Sequence, residues 1–184
     1  MYNYENYVNP HSKNFIHIKL TNEDVNKIDE FARYVIIEKS NENHHKIDNN
    51  SEYKRFYTGT MGELALEKYL GVSNIVDWSI GGSNKFHTPD LRNLGIKCGV
   101  KTVTHGSFPL IFKNSYSSEI MMIRWKHNHI YICGVATPDI LNKHQSDDLI
   151  LDNKLRLRGT KTGFYGFEHL KQFKDLEDIK TIIK

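Results

Sequence analysis

With 184 residues, of which 39% are hydrophobic and 26% charged, the chain has the size and apolar content of one folded domain around one core, and its 11% aromatic content excludes a low-complexity or disordered polymer. Its longest apolar runs, such as residues 130–135, fall far short of the roughly 20 residues that span a bilayer, and Met1-Tyr2-Asn3-Tyr4-Glu5-Asn6 has neither a basic nor an apolar export segment, so the expected location is the cytoplasm. The net charge of +3 is unevenly spread: over residues 91–130, Arg92, Lys97, Lys101, Lys113, Arg124 and Lys126 oppose Glu119 alone, six cations less one acid, or +5, which places a basic segment at mid-chain.

Residues 1–14 are rich in Tyr and Asn without periodicity and read as a loosely held arm. Thr21-Asn22-Glu23-Asp24 offers a capping-box-like entry to a helix whose apolar positions, Val25, Ile28, Ala32, Val35 and Ile36, keep helical spacing as far as Ser40. Residues 41–51, with His44 and His45, read as a loop, and 52–70 as a second helix stopped by Gly71. A short strand is expected at 75–78 and a turn at 81–84. Strands follow at 95–103, 108–112, 120–125 and 129–135, with Pro109 marking an edge or a strand start. Cys98 and Cys133 fall inside two of these strands and read as buried thiols rather than a disulfide. Thr137-Pro138 opens a short helix, 149–166 is irregular, and 167–183 reads as a closing amphipathic helix carrying Leu170, Phe173, Leu176, Ile179 and Ile183 on one side. Helices, a block of strands and a final helix predict an α+β or mixed α/β domain.

The residues able to carry chemistry lie in Gly59-Thr60-Met61-Gly62-Glu63-Leu64-Ala65, Thr88-Pro89-Asp90 and Gly99-Val100-Lys101-Thr102. A metal-dependent phosphodiesterase needs carboxylates to hold a hard divalent cation against the scissile phosphate and a cation beside the attacking water. Helical Glu63, turn-borne Asp90 and strand-borne Lys101 supply that set if a hairpin, turning at Asn93-Leu94-Gly95, brings Asp90 back to Lys101. Each also has an ordinary role: a solvated helix residue, a turn former after Pro89, and a charge on a strand edge.

In this order the residues resemble the PD-(D/E)xK nuclease superfamily, the restriction-endonuclease-like fold, over residues 59–103. The resemblance implies a mixed central sheet flanked by helices, and with the arm taken as 1–20 the expected organisation is a single nuclease-like domain over 21–184. It implies Glu63 as the helix acid, Asp90 as the metal-binding Asp, Lys101 as the motif lysine and the Val100 carbonyl as a further ligand of Mg²⁺ or Mn²⁺. The expected activity is magnesium-dependent hydrolysis of DNA phosphodiester bonds, as in an endonuclease, with a homodimer as a family-level expectation. One position departs from the pattern: Gly99 stands where the family has Asp or Glu, on the same strand face as Lys101. Either Glu63 substitutes for it across the site, or the register is different, or the fold has lost catalysis and binds nucleic acid or a protein partner, as an inhibitor or accessory factor would. An unrelated α+β interaction module is the remaining alternative, and it predicts no gathering of Glu63, Asp90 and Lys101.

Further cations suit a phosphate backbone. Lys97 shares the face of Gly99 and Lys101, and Lys154, Arg156 and Arg158 alternate as they would on one face of a strand, followed by Lys161. The same run also fits a charged edge strand that blocks aggregation. His87 and His105 flank the expected site, and His127 and His129 could share a metal from one strand face, although no Cys or carboxylate stands at zinc-like spacing around them.

Overall fold

The computed structural model describes residues 2–40, 49–79 and 88–184, with the backbone alone at 39–40 and 49–51. The start of the chain is packed rather than loosely held. Helix α1 (Tyr4–Tyr7) and a 3-10 turn over Asn9–Asn14 lead into strand β1 (Ile16–Lys19), and Tyr4 and Val8 are buried, because apolar side chains at this spacing find a core to enter.

Thr21 Oγ1 accepts from the Asp24 amide at 3.1 Å and the Asp24 carboxylate accepts from the Thr21 amide at 2.8 Å, a reciprocal cap that starts α2 (Asn22–Ser40) where the sequence places it. Helix α3 (Asn49–Leu70) begins three residues before its expected start and ends at Gly71, whose φ is 65°; residues 41–48, with His44 and His45, lie outside the described residues. The strand expected at 75–78 does not form. The amides of Ile75 and Val76 donate to one Glu67 carboxylate oxygen at 2.8 and 2.9 Å, so this backbone is tied to α3 instead of a neighbouring strand. The turn expected at 81–84 lies outside the described residues.

The four strands expected after residue 94 all form: β2 (Cys98–Thr104), β3 (Leu110–Phe112), β4 (Ser118–Trp125) and β5 (His129–Ala136). One mixed sheet has the order β1-β5-β4-β2, antiparallel at β1/β5 and β5/β4 and parallel at β2/β4. Strand β3 leaves that sheet during the parallel crossover and heads a small antiparallel sheet, β3-β7-β6, with β6 at Gln145–Ser146 and β7 at Lys161–Phe164. Between these, Pro138–Lys143 form α4.

Residues 149–166 are more regular than their sequence suggests. Asp152 accepts from the amides of Lys154 and Leu155 at 2.8 and 3.4 Å, and Gly159 closes the segment with φ 65°, so Asn153–Arg158 is helix α5 and not a strand. The closing helix is shorter than expected: α6 covers Leu176–Ile183 behind an Asp175 cap. Upstream of it, Lys171 exchanges backbone hydrogen bonds with Val135 at 2.8 and 2.9 Å, which holds that stretch extended against β5.

The mixed sheet separates two apolar clusters. Cys98, Ile120, Met122, Ile130 and Ile132 pack toward α2, α3 and α6, while Met121, Ile123 and Cys133 pack toward α1, α4 and the small sheet. The two cysteines are free and buried, on opposite faces. The protein is thus a mixed α+β domain, and among the described residues no helix is long and apolar enough to cross a membrane.

Candidate active site

Strand alternation along β2 sends Cys98 and Val100 toward α3 and leaves Gly99, Lys101 and Val103 on the other face. Helix α3 comes unusually close at Gly62, where a Cβ would lie 1.8 Å from Thr102 Oγ1. Only a residue without a side chain allows that approach, and it sets the next residue, Glu63, over the edge strand.

Asp90 does not begin a strand and residues 93–95 do not turn a hairpin. Asp90–Leu94 wind into a 3-10 turn behind Pro89, closed by the Gly95 amide on Arg92 O at 2.9 Å and the Ile96 amide on Leu91 O at 3.2 Å, with Leu91 buried beneath. The expected meeting of Asp90 with the next strand occurs by another route: the Val100 amide donates to Asp90 Oδ2 at 2.5 Å. Lys101 follows one residue later, within electrostatic reach of Asp90. Asp90 and Lys101 therefore meet at the edge of the sheet, Val100 takes part through its N–H, and Glu63, on the α3 side of the sheet, is within electrostatic reach of Asp90 alone of the two.

A carboxylate that the sequence reading did not point to lies beside Gly99. In the parallel β2/β4 ladder Gly99 faces Glu119, and a Cβ on Gly99 would stand 2.4 Å from Glu119 Oε2. The Glu119 carboxylate occupies the space a side chain at 99 would fill, on the face shared with Lys101. A signal was present in the sequence, since Glu119 is the lone acid of the basic segment and opens the apolar run 120–123. What the sequence could not supply was the pairing of strands twenty residues apart.

The electrostatics of the cluster are strained in one direction. Burial pushes Glu119 up to about 7, Asp90 adds to the rise, and Lys101 opposes it. Burial and the Asp90, Glu67 and Asp77 carboxylates push Glu63 well above the ordinary range. Burial also raises Asp90, against the Val100 amide and Lys101, which lower it. Crowded carboxylates in a low-dielectric site call for a cation. Among the described residues no group of three or more His, Cys, Asp or Glu side chains is placed to hold a metal ion. The fit to a divalent ion rests on the donor chemistry, the hard carboxylate oxygens of Asp90 and Glu119 that line one cleft.

The site opens into a cleft of about 270 Å³ between the two sheets, walled by Asp90, Lys97, Lys101, Phe112, Tyr116 and Glu119. A groove of about 940 Å³ between α1, the β2–β3 loop and α5 is larger but has no cation in its lining, so chemistry rather than size selects the smaller one. Lys97 is exposed at the rim. Lys161, on β7, is half-buried beside Lys101, Arg55 and Arg158, and its ammonium is held low by burial and by those three cations. Lys154, Arg156 and Arg158 do not share a strand face. Lys154 and Arg158 are one helical turn apart on α5, and Arg156, though exposed, donates to the Ile150 carbonyl at 3.2 Å.

The histidines lie elsewhere. His105 packs edge-on against Tyr4 beyond the far end of β2, at a ring separation of 4.9 Å. His129 pairs with His17 Nε2 through Nδ1 at 2.8 Å and not with His127, which sits exposed in the β4–β5 turn. His87 is outside the described residues.

Comparison with protein-family models, with curated proteins and with solved structures returns no match, so the functional reading of this chain stands on the geometry of Glu63, Asp90, Lys101 and Glu119.

Proposed function

We propose that the chain is a metal-dependent phosphodiesterase of the restriction-endonuclease-like kind, acting on nucleic acid. The observation that carries this reading is the position of Glu119: its carboxylate lies where a side chain at Gly99 would be, beside Asp90 and Lys101. This position supports the catalytic reading over the degenerate binder that the departure at Gly99 suggests.

When bound, Mg²⁺ or Mn²⁺ would polarise the scissile phosphoryl group and acidify a water molecule. Asp90 and Glu119, the two carboxylates that line the cleft, would hold the ion, with Glu63 adding negative charge beside Asp90. Val100 orients Asp90 by its amide. Lys101 holds the attacking water and balances charge that grows on the phosphate in the transition state. Lys97 and Lys161 receive the flanking phosphates.

Purified protein incubated with single-stranded and supercoiled DNA in Mg²⁺ or Mn²⁺ tests this directly. Cutting is expected, abolished by EDTA and lowered at least about 100-fold by Asp90→Asn or by Lys101→Ala. Cutting that survives both substitutions would refute the assignment. Absence of cutting with retained, salt-sensitive DNA binding would support the non-catalytic binder instead.

A further inference from the structure

Three large aromatic side chains are exposed among the described residues, Tyr34, Phe112 and Tyr116, and two of them wall the catalytic cleft. Phe112 is 50% exposed and Tyr116 74%. Leaving such rings in water forgoes burial energy, so two at the mouth of one cleft need a reason.

Each ring carries an ammonium. Lys161 Nζ stands 5.3 Å from the centre of Phe112, its direct partner across β3/β7, and Lys97 Nζ stands 5.2 Å from the centre of Tyr116. The segment that presents the rings is fastened. Asn142 on α4 accepts from the Ser115 amide and donates to the Ser115 carbonyl, both at 2.8 Å. Ser115 Oγ donates to the Phe112 carbonyl at 2.7 Å, and Lys113 pairs with Asp147 at 2.6 Å. Tyr116 is therefore held out on a braced turn.

Braced aromatic faces alternating with cations suit a strand whose phosphates meet the ammonium groups while its bases stack on the rings. A base inside a duplex has both faces already covered by its neighbours. Only an unpaired base has a face to offer Phe112 or Tyr116.

We infer that the cleft takes single-stranded nucleic acid, with unpaired bases stacked on Phe112 and Tyr116 beside the phosphate presented to Asp90, Glu119 and Lys101. This deepens the phosphodiesterase reading and rests on it for the placement of the scissile phosphate. The binding itself needs no metal.

The test is fluorescence anisotropy in EDTA with labelled dT20, a hairpin duplex of equal charge, and an abasic strand of equal length. Wild type is expected to bind dT20 at least about 10-fold more tightly than the duplex or the abasic strand. Phe112→Ala and Tyr116→Ala should each weaken dT20 binding about 10-fold and leave duplex binding within about twofold, while Tyr116→Phe restores it. Both positions are exposed, so unchanged circular dichroism is expected and checks the fold. Equal affinity for duplex and dT20, or alanine variants that bind dT20 like wild type, would overturn the inference. Failure of the phosphodiesterase reading looks different: aromatic-dependent dT20 binding persists, with no cutting on adding Mg²⁺ or Mn²⁺.

Discussion

At the residue scale, two positions on neighbouring strands share one space. Gly99 leaves the space and Glu119 fills it, so a methyl group at 99 meets the carboxylate end of a flexible side chain, 2.4 Å from Oε2. That end can swing aside at little cost to the fold. Gly99→Ala is accordingly expected to lower the cleavage rate at least about 10-fold while moving the melting temperature by less than about 2 °C, which rate measurements beside calorimetry will check. Because the two sites face each other in register, the exchange Gly99→Glu with Glu119→Gly should recover part of the activity that Glu119→Gly alone removes. An exchange no better than the single variant would show that the carboxylate must approach from β4.

At the element scale, the site depends on how closely α3 lies on β2. A methyl group at 62 would meet Thr102 Oγ1 at 1.8 Å and Thr102 Cβ at 2.9 Å, and the nearer atom is short and fixed to the strand. Gly62→Ala should therefore push the helix off the sheet and cost about 1–3 kcal/mol, read as a lower denaturation midpoint. Thr102→Ala in the same chain should return part of it, since Thr102 Oγ1 has no hydrogen-bond partner to lose. Elements whose signals are local were legible in the sequence: the Thr21 and Asp24 cap of α2, the apolar runs of β4 and β5, and Pro138 opening α4. Those decided by tertiary contacts were not. Residues 75–76 became a loop because Glu67 claims their amides, and 153–158 became a helix because an Asp cap and a glycine stop outweighed an alternation of charges. The site divides in the same way. Glu63, Asp90 and Lys101 were legible as residue types in order, whereas Glu119 required the register of a parallel ladder.

At the scale of the whole molecule, the crowded carboxylates link stability to pH. Glu119 titrates at 4.5 when unperturbed and about 7 in the fold, so between those values the folded chain keeps a proton that the unfolded chain has released. Its contribution is fully present below the lower value and is lost as pH rises through the upper one; Glu63 and Asp90 act with the same sign. The metal-free protein should melt several degrees lower at pH 8 than at pH 5. Calorimetry across that range should find the slope reduced in Glu119→Gln, and Mg²⁺ at pH 8 should raise the melting temperature of wild type more than that of the variant. The central claim is that Glu119 supplies the acid missing at Gly99, and its most direct test is the rate of Mg²⁺-dependent DNA cleavage by Glu119→Gln beside wild type at pH 8. A loss of at least about 100-fold in a variant that still folds and binds DNA is the predicted result; an unchanged rate would contradict it.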